Sequence, residues 1–383
     1  ITVSIANSVI VIIVLLWIFS GNYKSKFSII FGSKLLISSI IFYFIHVIGM
    51  IWTEDISWGF HILHKMWYFI LLFPILFTIV EKKYIRYYLY SFLSAIFLTE
   101  VVSYLVWFQF IDEFMKANQH NPTPFMSHIS YNPILAFSIY LVTHEILFNK
   151  EISRIIYISF IFFLLIMVFN MFITGGRAGQ VMFFTIIAIL CFQYFKGEKT
   201  KAVLAAIILV PSVFFAAYQV SPLFKERVDL AYFEIMNYDA QTVSSNQILN
   251  SSVGGRILFT VNSFEMVKDN IFFGVGTGDF PVEYKIINDR NSIGAPNTKN
   301  PHNMYILILC QLGLFGLISM MSILYFQFRI AILRESGFFH NVGIAMPLLF
   351  MVIMFSDSYL LGHFTGLLFI FFSSFLYKDF EKS

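Results

Sequence analysis

Apolar runs long enough to cross a lipid bilayer recur along the whole of this 383-residue sequence. A spanning α-helix needs about 20 such residues, and it satisfies its own backbone polar groups where no water can. A β-barrel is excluded, because barrel strands alternate apolar and polar residues over ~10 positions and these runs do not. Composition agrees: 58% of the residues are hydrophobic and only 12% charged, with a mean hydropathy of +0.77. A soluble domain carries about 25% charged residues. The 48 Phe, 20 Tyr and 5 Trp exceed what one globular core can hide. A soluble enzyme, a disordered chain and a collagen-like fibre are therefore ruled out. The expected fold class is an all-α polytopic membrane protein.

Eleven candidate spans fall near residues 1–20, 33–52, 61–80, 86–111, 130–148, 155–174, 178–195, 202–220, 304–328, 341–358 and 362–377. Their connectors alternate in charge. Those around Lys24, Lys82, Lys150, Lys199, Arg329 and Lys382 hold 15 basic residues, whereas the short connectors opposite hold three, Lys65, Lys116 and Arg177. By the positive-inside rule this bias puts the C-terminus in the cytoplasm and the long connector 221–303 outside. Net charge is only +3, so its distribution carries the argument. The first run lacks the basic leader and small-residue site of a cleavable signal peptide. Eleven spans put residue 1 outside, which predicts one more helix upstream and about 11–12 transmembrane helices in all. The expected organisation is N-terminal transmembrane helices over 1–220, the outer loop over 221–303 and C-terminal transmembrane helices over 304–383.

The outer loop reads as two amphipathic helices and a polar stretch. Leu223, Val228, Leu230, Phe233 and Met236 suggest a helix lying along the membrane surface, and Phe259, Phe264 and Val267 recur helically after Arg256. Gly274, Gly276 and Gly278 in FFGVGTGDF follow no βαβ strand, so they read as a backbone turn rather than a dinucleotide site. No internal repeat is evident. Cys191 and Cys310 lie in apolar runs without metal or haem spacing. No HExxH, carboxylate cluster or Walker sequence is present, so no cofactor is expected.

Three outward features stand against the apolar background. Thr174-Gly175-Gly176-Arg177-Ala178-Gly179 is either a glycine-broken turn with a snorkelling Arg177 or an anion site. In the second reading backbone N–H groups, a helix N-terminus and a guanidinium fork converge on an oxyanion. Ser251-Ser252-Val253-Gly254-Gly255-Arg256 admits the same two readings for Arg256. The third is Asn300-Pro301-His302-Asn303-Met304-Tyr305, where the loop re-enters the membrane. His46 and His144 read as structural, and His61, His64, His120, His128, His340 and His363 as interfacial. His302 differs: Pro301 punctuates the loop before it, and a long apolar helix follows. A neutral imidazole in such a place suits a general base. Lys65 and Asp357 sit at outward helix ends, where Lys65 can add charge for an anionic ligand and Asp357 can orient a base. Gly176 and Asn303 are supporting candidates within their motifs.

With GGRAG around Arg177, GGR at Arg256, GVGTGDF and PHNMYILILCQLGLFGL from Pro301, the chain resembles the O-antigen ligase and polymerase superfamily over about 155–335. The resemblance implies a metal-independent glycosyltransferase on the periplasmic face of the bacterial inner membrane. Its donor would be a glycan on undecaprenyl diphosphate. The acceptor would be a lipid A-core sugar hydroxyl in a ligase, or a second carrier-linked repeat unit in a polymerase. Carried onto this chain, His302 would be the general base, and Arg177 and Arg256 would neutralise the diphosphate leaving group. The partners implied are the carrier-linked donor, the lipid A-core acceptor and membrane lipids, with no nucleic acid. Twelve spans are common in the superfamily, against the eleven read here. A transporter or flippase for an anionic lipid is the reading from another class. It calls for ionisable residues in mid-membrane, whereas the charges here gather near helix ends and loops.

Overall fold

The structure is a computed structural model that describes residues 3–115, 117–236, 253–292 and 294–380. Lys116, Ser251, Ser252 and Lys382, all used above, lie outside the described residues, as does the loop stretch 237–252. The helices are α1 (Val3–Phe19), α2 (Tyr23–Gly32), α3 (Lys34–Gly49), α4 (Ile56–Trp67), α5 (Phe73–Ile79), α6 (Ile85–Trp107), α7 (His128–Phe148) and α8 (Arg154–Ile173). They continue as α9 (Arg177–Tyr194), α10 (Lys199–Val220), α11 (Pro222–Met236), α12 (Gly254–Asp269), α13 (Phe280–Asn291), α14 (Met304–Ile332), α15 (Phe338–Ile353) and α16 (His363–Leu376). Every apolar run therefore carries a helix. Among the described residues seven helical stretches have the length and hydropathy of a membrane span, while α1 and α2 form a pair bent by 115°. The apolar helices α15 and α16 have only 16 and 14 residues, short of the roughly 20 that a full crossing needs. The chain is an all-α polytopic membrane protein.

The chain divides into two units of interleaved segments, one of residues 1–2, 81–229 and 334–353 and another of residues 3–80, 230–333 and 354–383. In the first unit α7 packs against α8 and α9, and α9 against α10 and α15. Residues 131–142 of α7 are buried on every side, which fits a helix that is apolar around its circumference. Polar groups cross-link this unit. Asn132 Nδ2 donates to Thr174 Oγ1 at 2.9 Å, and Asn170 Nδ2 to Ser103 Oγ at 2.8 Å. The Tyr131 hydroxyl donates to the buried Glu100 carboxylate. Side-chain hydrogen bonds of this kind join helices that gain no hydrophobic drive from one another in lipid.

The second unit is organised around α3 and α14. Gly313 breaks the α14 helix at φ +60°. A Cβ on it would lie 2.2 Å from the Phe272 carbonyl carbon, so only glycine fits. The break frees backbone groups that the glycine-rich loop then satisfies: Val275 N donates to Cys310 O at 2.8 Å, Gly276 N to Gln311 O at 2.9 Å, and Leu314 N to Ile271 O at 2.9 Å. GVGTGDF is thus a backbone clip between the 221–303 connector and a long apolar helix. Asp279, at its end, is buried, and its carboxylate accepts the N–H groups of Glu54 and Asp55 at 2.8 to 3.0 Å. Asp55 caps α4 by accepting Trp58 N at 2.9 Å. This double capping starts the helix at Ile56, earlier than the apolar run suggests. The 221–303 connector also holds a helix, α13, within what reads from sequence as a polar stretch. In α13 only Phe280, Tyr284, Ile287 and Asn288 are buried, a stripe too narrow to raise its overall hydropathy.

Candidate functional site

In the second unit the chain enters α14 through Asn300-Pro301-His302-Asn303. Asn303 is the N-cap, its Oδ1 accepting Tyr305 N at 3.0 Å and Ile306 N at 3.2 Å. Met304 N donates to Met354 O at 2.8 Å, tying this entry to the segment after α15. The residue before the cap, His302, takes the left-handed conformation, φ +54°. For a side chain with a Cβ that is a strained geometry, held by its surroundings. Asn300 supplies the hold: its Oδ1 accepts His302 N at 2.9 Å and the Ser358 hydroxyl at 2.9 Å, and its Nδ2 donates to Asp357 Oδ1 at 3.1 Å. The Phe259 ring stacks on the imidazole with centroids 6.1 Å apart and planes at 30°.

His302 Nδ1 lies 3.3 Å from Asp357 Oδ1, at ion-pair distance. Nδ1 is buried while a third of the side chain is exposed, so the open part of the ring faces away from the carboxylate. Burial, the largest influence on Asp357, pushes its carboxyl up. The contact and charge of His302, the Ser358 N–H and the charge of Arg256 together outweigh burial and hold it below the ordinary carboxylate range. Arg256 stands in the first turn of α12, three residues before Phe259, so the two share one helix face. Among the described residues it enters no ion pair with a carboxylate, although Asp357 and Tyr359 both feel its charge.

Lys65 differs in depth from the sequence reading. Because α4 starts at Ile56, Lys65 lies well inside the helical stretch Ile56–Ile79 rather than at its edge. It interacts electrostatically with Asp357. Ionisable residues are rare and costly within such helices.

Arg177 belongs to the first unit, where it opens α9 behind the N-cap residue Gly176. Here the glycines have a packing task. A Cβ on Gly176 or Gly179 would lie 2.4 or 2.3 Å from Asn132, so both permit α9 to press against α7. Gly175 N donates to Asn121 Oδ1 at 3.1 Å, and the Arg227 guanidinium approaches Gly175, Nη2 lying 3.8 Å from where a Cβ would stand. The second unit thus gathers His302, Asp357, Arg256, Lys65 and the cap Asn303; the first holds Arg177 and Gly176. Phe259, Ser358 and Arg227 escaped the sequence reading. Phe259 and Arg227 lie far along the chain from the residues they approach, and Ser358, although next to Asp357, lies far from Asn300; no local motif announces these contacts.

Residues 162–321 match the family model for O-antigen ligase. That match supports the O-antigen ligase and polymerase superfamily. It spans Arg177, Arg256 and His302 and leaves out Lys65 and Asp357. The superfamily implies a glycosyltransferase-like activity on lipid-linked glycans in a membrane. Comparison with curated proteins finds no match.

Proposed function

We propose that the chain is an O-antigen ligase, moving glycan from undecaprenyl diphosphate to a sugar hydroxyl of the lipid A core. The reaction would run on the periplasmic face of the bacterial inner membrane. His302 takes the proton of the acceptor hydroxyl as its oxygen bonds to the anomeric carbon of the donor sugar. The bond from that carbon to the diphosphate oxygen breaks, and undecaprenyl diphosphate leaves with the electron pair. Asp357 balances the imidazolium that forms. Arg256 and Lys65 meet the charge growing on the leaving group, where preorganised cations act most strongly in the transition state. Arg177 is proposed as a further diphosphate ligand from its glycine turn and helix N-terminus. The energy comes from the diphosphate ester, so no metal or nucleotide is required.

The contact between His302 and Asp357, with Arg256 close enough to act on the carboxylate, carries this reading. The lipopolysaccharide ladder of a deletion strain tests it. Core without O-units, with carrier-linked polymer accumulating, is the expected result. Core bearing one unit would instead identify a repeat-unit polymerase, and an unchanged ladder would overturn both and leave open a transporter or flippase for an anionic lipid or solute.

A further inference from the structure

The last turn of α11 is inside out. Tyr232, Phe233, Ile235 and Met236 are 56–66% exposed, whereas Glu234 between them is 2% exposed. Acidic side chains are almost never buried so fully without a partner. The partner here is the start of α12: Glu234 Oε2 accepts Val253 N at 2.7 Å, a length found in charge-assisted bonds. Its other oxygen is buried with no hydrogen-bond partner among the described residues, so no second donor there draws on the charge.

Val253 is the N-cap of α12, and its side chain offers no oxygen to the first turn. In a capping box the N-cap N–H is accepted by a glutamate or glutamine three residues on, within the helix itself. Three residues on from Val253 stands Arg256. A guanidinium accepts no hydrogen bond, and its charge opposes the positive end of the helix dipole. Glu234 supplies both missing parts, acceptor and negative charge, from nineteen residues upstream.

We propose that Glu234 is a positioning residue for Arg256: a capping-box carboxylate lent by another helix, so that the third position of α12 can carry a guanidinium. It rests on the reading of Arg256 as a ligand of the leaving diphosphate. A carboxylate paired with the guanidinium itself would compete with phosphate for the fork. A carboxylate on the backbone N–H behind it holds the helix start and leaves the fork to an anion. Phe259, which stacks on His302, follows one turn later on the same helix and shares the anchor.

The test is glycan transfer from a carrier-linked donor by the full chain, joined to hydrogen exchange on the same samples. Glu234→Gln keeps an acceptor oxygen and removes the charge; it should lower kcat roughly 3–30-fold, the worth of a charge at a helix end. Glu234→Ala removes both and should lower kcat about 10–100-fold. KM for the donor should change little in either. Glu226→Gln, exposed on the same helix, should keep wild-type rates. A double-mutant cycle supplies the readout that a purely structural role would not move. If Glu234 acts through Arg256, Glu234→Gln should cost no more than about twofold in the Arg256→Lys background. The cycle uses only the isosteric variant, so it stands even where Glu234→Ala fails to fold. Exchange should quicken over residues 253–258 in Glu234→Ala and stay unchanged over 263–269. Losses that multiply in the cycle, wild-type kcat in Glu234→Gln beside an impaired Arg256→Lys, or unchanged exchange over 253–258 would each overturn the proposal. Full turnover by Arg256→Lys would instead overturn the reading of Arg256 as a diphosphate ligand, and the exchange result would still decide whether Glu234 anchors α12.

Discussion

One oxygen of Asp357 serves three neighbours at once: it lies 3.3 Å from His302 Nδ1, and it accepts Ser358 N at 2.7 Å and Asn300 Nδ2 at 3.1 Å. The two N–H donors fix the carboxylate, and the fixed carboxylate faces the imidazole. Asn300 closes the loop by also accepting His302 N, so backbone and side chain of the histidine are held through one amide.

Asp357→Asn should lower turnover by about 10–100-fold, the worth of a hydrogen bond or contact to a charged group, with little change in KM for the donor. The same variant reports on stability. The folded protein holds the Asp357 carboxyl below its ordinary value, so its contribution is present above about pH 4 and is lost as pH falls through the lower folded value. Thermal unfolding in detergent should show wild type losing Tm as pH drops below that range. A loss of equal size in Asp357→Asn would remove the carboxylate as its cause.

His302→Ala should insert normally and lose about 10²–10⁴-fold in transfer, the span of general-base catalysis. His120→Ala, in an exposed loop position, should keep wild-type rates. Comparable losses in both variants at matched expression would show that the imidazole of His302 is not the base.

Phe259→Leu probes the stack on His302 without touching a polar group. Losing the ring should free the imidazole to rotate, cutting kcat several-fold while KM holds, because aromatic pairs add about 0.5–1.5 kcal/mol beyond burial. An unchanged kcat would mean that Asn300 and Asp357 alone suffice to orient the base.

Gly313→Ala should destabilise the second unit, since the new Cβ would meet Phe272 backbone at 2.2 Å and φ +60° is costly for any side chain. Gly337→Ala, with no heavy atom within 4 Å of its Cβ position, is the matched control. The measurement is Tm of the purified proteins, and equal values would refute the clip between the glycine loop and α14.

Much of this was legible in the chain, and the boundary is physical. Helix existence follows from apolar run length, a local property, so every run expected to be helical is helical. Helix starts depend on capping partners: Asp279 stands far along the chain from the Glu54 and Asp55 amides it caps, which is why Lys65 was read at an edge it does not occupy. The NPHN entry to α14 is readable because Asn303 caps its own helix. The apolar run puts Asp357 at the end of a span over 341–358; α15 stops at Ile353, and the carboxylate lies in the following loop. Gly176 is legible as part of the turn before Arg177, whereas its neighbour Asn132 is a contact no local pattern encodes.

The arginines separate a phosphate fork from a mere cation. Arg256 stands at a helix start with no carboxylate partner among the described residues, a position where two parallel N–H groups can meet two phosphate oxygens. Lysine keeps the charge and loses the fork, so Arg256→Lys should be severely impaired although the charge at that position is unchanged. The loss should appear in kcat more than in KM, because the leaving diphosphate gains charge as the reaction proceeds. Arg177→Lys puts the same question to the first unit: a snorkelling interfacial arginine tolerates lysine, since either head group reaches the membrane surface, whereas a phosphate ligand does not. Transfer is measured with carrier-linked donor at matched expression and in chelator. Near-wild-type turnover by Arg256→Lys would reduce its role to charge alone, and the same result for Arg177→Lys would assign that residue to the packing of α9 against α7.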